Sequence, residues 1–317
     1  MTVGREDNTE PLFAGRHRAA DDDASTGHTA LVLGGGGARS AYQAGVLRAI
    51  ARRRPDVHFP ILTGISAGAI NTAFVAAHAG PFAQAADDLA QLWRTLTPDR
   101  VYRVDASSLF SNVARWGRRL VSGGLGDTDD RHIRGLVDTT PLFHLVRDTL
   151  LTNDLGAITG IERNVTRGSL RAVALSATSY STGQSVTWIQ GDDIDLWQRP
   201  QRRTENARLG LEHVMASSAL PLLFPAVRVG DEWYGDGGVR LTAPLSPALH
   251  LGATRILTIS TRRSRSRAEA DQSQISGYPP PAQILGVLYN AVFLDLIDQD
   301  ILRLEMINQL LPHVPQD

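Results

Sequence analysis

Ser66 stands in Gly64-Ile65-Ser66-Ala67-Gly68, after the apolar run Phe59-Pro60-Ile61-Leu62 and before an alanine-rich stretch of helical character. A serine between small residues at a strand-to-helix turn can occupy a sharp elbow that projects its hydroxyl away from the backbone. Glycine at Gly64 and Gly68 would let strand and helix approach without a Cβ clash. The hydroxyl needs a base to take its proton before it can attack. Hydrolases with this elbow use a histidine late in the chain. None of the histidines after Ser66 (His78, His132, His144, His213, His250, His313) sits in a short loop following a late strand. They read as surface or capping residues. Asp236 is the other choice of base. It follows the strand Glu232-Trp233-Tyr234, and Gly237-Gly238 behind it let the backbone bend and bring the carboxylate to another loop. A carboxylate can act as general base in acylation and then activate water in deacylation. Its intrinsic basicity is low, so an apolar, partly desolvated pocket is expected to raise it. Taken singly, the serine motif and Asp-Gly-Gly each also fit a plain turn without chemistry.

A third element precedes the serine. Thr29-Ala30-Leu31-Val32-Leu33 reads as a buried strand and runs into Gly34-Gly35-Gly36-Gly37-Ala38-Arg39-Ser40, after which residues 41–50 have helical spacing. Free N–H groups in such a turn, near the positive end of a helix, can hold a phosphate or a developing oxyanion. A dinucleotide fingerprint would need a third glycine where Arg39 or Ser40 stands, and the next strand leads straight into the serine turn. Arg39 opposes the helix dipole at a cost of roughly a few tenths of a kcal/mol. A cation aimed at an anionic ligand or transition state beside the loop accounts for that; a tolerated surface arginine is the plainer alternative.

Along the chain the glycine loop comes first, the serine turn second and Asp236-Gly237-Gly238 third, each at the end of a strand. Together with Ala216-Ser217-Ser218-Ala219-Leu220-Pro221-Leu222-Leu223-Phe224-Pro225, they resemble the patatin-like phospholipase family over residues 29 to 250. The resemblance implies a three-layer α/β/α fold with a mixed central sheet. It implies Ser66 as nucleophile, Asp236 as base, and the loop Gly35, Gly36, Gly37, Ala38 and Arg39 as oxyanion hole. Ser40 departs from the glycine that many members carry there; a small residue should still allow the turn. The expected activity is hydrolysis of fatty-acyl esters of phospholipids or lysophospholipids through an acyl-enzyme. A general carboxylesterase or acyltransferase would use the same residues, and a non-catalytic lipid- or nucleotide-binding protein could use the glycine loop.

Around these motifs, strands are expected at 170–177, 185–189 and 255–260, and a hairpin at 227–234. Helices are expected at 69–79, 82–96, 107–120, 142–151 and 209–217. Residues 98–140 form an insertion, either a lid or a surface excursion. Residues 1–28 read as a polar mobile tail and 29–311 as one catalytic domain, whose C-terminal part, 282–311, is a long amphipathic pattern with a break. With 42% hydrophobic and 21% charged residues, the composition excludes a largely disordered chain. A formal net charge of −1 gives no global pull toward nucleic acid, which is not expected as a partner. The absence of cysteine removes disulfides and thiolate chemistry. No cluster of metal-ligand spacing is visible, so neither metal nor cofactor is expected. Nothing in the first residues resembles a secretory signal, and the uncharged stretch 61–86 is interrupted by glycine, asparagine and proline, which argues for a cytoplasmic chain without a membrane span. A lipid substrate would bring at least transient peripheral contact with a membrane or micelle. Arg262, Arg263, Arg265 and Arg267 could meet anionic headgroups, and the C-terminal amphipathic pattern could lie on a bilayer, although a solvated loop and a packed terminal helix are the simpler readings. The sequence sets no oligomeric state.

Overall fold

Strands buried on both faces read as short, nearly continuous apolar runs, and such runs build the centre of this protein. A computed structural model describes residues 28–104, 135–241, 243–262, 266–271, 277–293 and 295–313. β1 (His28–Leu33) leads through the glycine run into α1 (Ser40–Arg53), and β2 (Ile61–Ile65) leads into α2 (Ala67–Ala77) and α3 (Phe82–Arg94). Next come α4 (Thr140–Leu150), α5 (Thr159–Thr166), β3 (Ala172–Ser179), β4 (Ser185–Gly191), β5 (Gln198–Arg199) and β6 (Arg202–Asn206). They are followed by α6 (Leu211–Ser217), the hairpin β7 (Val227–Val229) and β8 (Glu232–Asp236), α7 (Ser246–His250) and β9 (Ala253–Ile259). α8 (Pro281–Phe293) and α9 (Asp295–Leu310) complete the order.

The sheet order is β5-β6-β4-β3-β2-β1-β9, with β8 attached to β3 and β7 to β8. β9, β1, β2 and β3 are mutually parallel, whereas β4 and β8 run antiparallel to β3. Side chains alternate between two apolar clusters, as a period of two requires. Leu31, Leu33, Leu62, Val173 and Leu175 face the cluster that includes α1, α2 and α6. Ala30, Val32, Ile61, Ala172 and Ala174 face the cluster formed with Leu245, Ala248, Ile301 and Leu304 of the α7 and α9 side. The architecture is therefore α/β/α in three layers around a mixed sheet.

Several boundaries differ from expectation for local reasons. β2 begins at Ile61, not Phe59: Pro60 has no N–H to give a ladder, while its carbonyl accepts from Arg171 and Ala172. α5 is short, with Ile161 and Val165 as its only large apolar residues, and the edge strand β5 and its neighbour β6 carry little apolar periodicity; in β6, Arg202-Arg203-Thr204-Glu205-Asn206, only Thr204 is buried. The C-terminal amphipathic pattern corresponds to α8 and α9. The helix expected at 107–120, most of the 98–140 insertion, the N-terminal tail, Arg263 and Arg265 lie outside the described residues. Among the described residues no helix is long and apolar enough to cross a membrane.

Candidate active site

β2 and β8 run toward each other along the same edge of β3. β2 ends with Ile65 opposite Ser176, and β8 ends with Asp236 opposite the next residue, Ala177. The residue after β2 is Ser66, so strand pairing alone puts Ser66 and Asp236 side by side. Ser66 adopts φ 58° and ψ −134°, a backbone conformation rare for a residue with a Cβ. Such strain costs on the order of 1–3 kcal/mol and persists only where neighbours enforce it.

Those neighbours come from the end of α6. The Ser66 N–H donates to Ser217 Oγ at 3.1 Å, and Ser217 Oγ in turn donates to the Ser176 carbonyl at 2.7 Å. Ser218 Oγ donates to the Ser66 carbonyl at 3.0 Å. The two glycines of the serine motif are required by close approach. A Cβ on Gly64 would lie 2.7 Å from Ala69 Cα, and one on Gly68 would lie 2.1 Å from the Leu33 carbonyl oxygen.

Asp236 is completely buried and held at several points. Its N–H donates to the Ala219 carbonyl at 2.8 Å, its carbonyl accepts from Thr178 Oγ1 at 2.8 Å, and its Oδ1 accepts from the Gly238 N–H at 2.9 Å. Gly237 passes so near β3 that a Cβ would sit 2.1 Å from the Ser176 carbonyl oxygen. Oδ2 closes no hydrogen bond of ordinary geometry, and the Ser66 side chain and the Gly238 N–H favour the charged form of the carboxyl. Burial dominates the electrostatics: desolvation pushes the carboxyl from the usual 3.8 up to about 7, against lowering by Ser66 and Gly238. Tyr180 and Tyr289 stand within reach of that charge. Burial first, and then the Asp236 carboxylate, push both phenols above their ordinary value of 10.0.

The glycine loop lies across from the serine. Its carbonyls are occupied: Gly34 accepts from Gln43 Nε2 at 2.9 Å, and Gly35 accepts from Thr261 Oγ1 at 2.8 Å. Gly37 has φ +54°, and the Arg39 N–H closes the turn on the Gly36 carbonyl at 3.1 Å. The N–H groups of Gly36, Gly37 and Ala38 thus come at the N-terminal end of a helical turn, where such groups lack intrahelical partners. A buried relay joins loop and elbow. Trp93 Nε1 donates to Asn71 Oδ1 at 2.7 Å, Asn71 Nδ2 donates to Gln43 Oε1 at 3.0 Å, and Gln43 reaches the loop.

Gly36, Gly37, Ala38, Arg39 and Ser66 line a cavity of about 310 Å³ with Leu220 and three residues of α8: Gly286, Tyr289 and Asn290. Tyr289 Oη donates to the Pro221 carbonyl at 2.6 Å, and Arg39 Nη1 donates to Asn290 Oδ1 at 3.1 Å. A larger cavity of about 340 Å³ between His58 and His78 lies away from the serine. Among the described residues no histidine lines the Ser66 cavity. His213 accepts from the Gly210 N–H and packs against Trp188, His78 meets Asp88, and His250 stacks on Trp197. The structure therefore gathers Ser66, Asp236, Gly64, Gly68, Gly237, Gly238 and the loop from Gly35 to Arg39. Sequence reasoning had no role for Ser217 and Ser218 beyond their motif, and it missed Tyr289 and Asn290. A tyrosine in an amphipathic helix gives no local sign of the cavity it faces. Of the arginines considered for headgroup contact, Arg262 is 3.3 Å from Asp298.

Residues 31–249 match the sequence profile of the family described as patatin-like phospholipase. No curated protein matches the chain. Among solved structures, the chain is similar to VipD from Legionella pneumophila, with 16% identity, a TM-score of 0.39, and coverage of 68% of this chain and 46% of that one. It is also similar to the type III effector ExoU, with 14% identity, a TM-score of 0.34, and coverage of 88% and 53%. The same comparison finds ExoU of Pseudomonas aeruginosa in complex with SpcU, at 18% identity, a TM-score of 0.31, and coverage of 62% and 39%. The chain spans about half the length of these proteins or less.

Proposed function

The chain belongs to the patatin-like phospholipase family, and from that premise we propose that it is a serine acyl hydrolase acting on fatty-acyl esters of phospholipids or lysophospholipids. The observation that carries this reading is the meeting of β2 and β8 on one edge of β3, which faces a strained serine with a buried carboxylate. In this mechanism ionised Asp236 takes the Ser66 proton as Oγ attacks the ester carbonyl. Negative charge grows on the carbonyl oxygen. The N–H groups of the loop Gly35 to Arg39 stabilise it, and Arg39 adds a positive charge at the rim. The tetrahedral intermediate collapses, the proton on Asp236 passes to the departing alkoxide, and the acyl group remains on Ser66. Asp236 then deprotonates a water that attacks the acyl-enzyme, releasing the fatty acid and restoring the serine. Each step uses groups of this chain alone.

A Ser–Asp pair suits a deeply buried base. Without a histidine between them, the carboxylate must itself be basic enough to accept a serine proton, and desolvation supplies that basicity. The test is direct. Wild-type protein should hydrolyse a short-chain p-nitrophenyl ester and react with a fluorophosphonate probe, and Ser66→Ala should lose both while keeping its fold by circular dichroism. Undiminished turnover by Ser66→Ala would remove the proposal. A panel of diacyl and lysophospholipids then assigns headgroup and chain length.

A further inference from the structure

α8 lies outside the region matched to the family, yet it supplies one wall of the Ser66 cavity. With 3.6 residues per turn, Gly286, Tyr289 and Asn290 fall on one face, and Ile284, Val287, Leu288 and Ala291 fall on the opposite one. The first face looks into the cavity and is bonded to Pro221 and Arg39. The second is exposed: Val287 is 62% and Leu288 57% accessible, and Ile284 and Ala291 are exposed as well. Tyr278, just before the helix, is 89% exposed. Residues 277–294 contain no Asp, Glu, Lys or Arg. An exposed aliphatic stripe with an aromatic at its end, on a segment that carries no charge of its own, is unusual on a surface facing only water.

We propose that the outer face of α8 is a lipid-docking surface that seats the Ser66 cavity on a phospholipid bilayer. The choice of a lipid occupant rests on the acyl hydrolase reading, because this stripe backs directly onto the cavity that an acyl chain must enter. One helix, about 10 Å across, separates the two. At 13 residues α8 is too short to span a bilayer, so it lies in the interface. Tyr278 is suited to the headgroup level, where aromatic side chains collect. Without charge in the segment, docking is driven by apolar burial and should depend little on salt, unlike docking through the arginines that follow β9.

The test separates docking from catalysis. Ser66→Ala protein, which cannot degrade lipid, is floated with phosphatidylcholine vesicles at low and high salt. Binding should change less than about threefold between the two, as expected for apolar insertion. Adding Val287→Glu and Leu288→Glu should weaken binding on the order of 100-fold, roughly tenfold per lost side chain. Ile284→Trp should strengthen it several-fold with an unchanged circular dichroism spectrum and melting temperature, a gain that loss of fold cannot explain. In the otherwise wild-type enzyme, Val287→Glu with Leu288→Glu should leave turnover of the soluble ester intact and reduce hydrolysis of vesicle phospholipid. Vesicle binding unaffected by the glutamates, or binding abolished by salt, would overturn the proposal. So would a dimer that the glutamates convert to monomers, since the stripe would then be covered by a second copy. Failure of wild-type protein to turn over the soluble ester would instead remove the hydrolase reading, and flotation would still decide the docking.

Discussion

At the scale of single residues, Asp236 is the most perturbed group in the site. Burial outweighs the two contacts that favour its charge and raises its carboxyl to about 7. Only the ionised form can take a proton, so ester turnover is expected to rise with pH on a limb whose midpoint lies near 7 and to flatten above it. The same displacement has a sign for stability. In the unfolded chain this carboxyl ionises near 4; in the native chain it keeps its proton to about 7. Native protein therefore binds the extra proton between those values, and its stability falls as pH rises through that window and stays lower above it. The full gap corresponds to at most about 4 kcal/mol. Asp236→Asn removes that cost while its amide oxygen can still accept from Gly238. Thermal melts should show the variant inactive, more stable than wild type at pH 8, and little different at pH 4. Equal melting temperatures at pH 8 would mean that burial costs this carboxylate nothing. Tyr180 and Tyr289 have their phenols pushed up by burial and by Asp236, and Tyr289 donates its hydroxyl to the Pro221 carbonyl.

At the scale of elements, the strained serine and the glycine loop are fixed by side chains on neighbouring helices. Ser217 and Ser218 hold the N–H and carbonyl of Ser66, and Asn71 with Gln43 ties α2 to α1 and to Gly34. Asn71 and Gln43 are fully buried, so losing one strands the polar groups of the other and of Trp93. Asn71→Leu keeps the volume and removes the relay. It should cost roughly 2–4 kcal/mol in urea unfolding, because Gln43 Oε1, Trp93 Nε1 and the Ser40 carbonyl each lose a partner. It should also lower ester turnover, although neither Ser66 nor Asp236 has changed. The sequence made the elbow and the loop legible because glycine spacing and strand-to-helix transitions are local signals. It did not reveal the relay, since a glutamine and an asparagine within amphipathic helices carry no mark of their partners. β6 escaped notice for a related reason: Arg203 pairs with Glu205 and with Glu232, and the strand lacks an apolar alternation.

At the scale of the whole molecule, the site is completed by helices beyond the family-matched region. Ile297 of α9 packs onto Gly34, where a Cβ would lie 2.0 Å from its Cδ1. Asp300, also buried, accepts from the Leu245 N–H at 3.0 Å, and Ile301 and Leu304 join the second apolar cluster. Packing of α9 thus bears directly on the loop that faces Ser66. Ile297→Ala should lower stability by about 2–4 kcal/mol through the cavity it leaves. It should also slow fluorophosphonate labelling of Ser66, because the glycine loop loses its support. Labelling at the wild-type rate in a measurably destabilised variant would uncouple α9 from the site.

Residue order along the chain was enough to identify the serine turn, the glycine loop, the aspartate turn, the apolar strands and the family they resemble. These are properties of a few adjacent residues, governed by backbone sterics and by periods of two and 3.6. What only the tertiary structure decided was how distant segments meet. Two strands from far apart in the chain stop head to head on β3, a serine pair on α6 grips the elbow, and α8 turns one face to the cavity and the other outward. Each depends on which strand pairs with which and on how helices pack across the sheet. Pairing and packing are long-range choices, settled by burial of the whole apolar core.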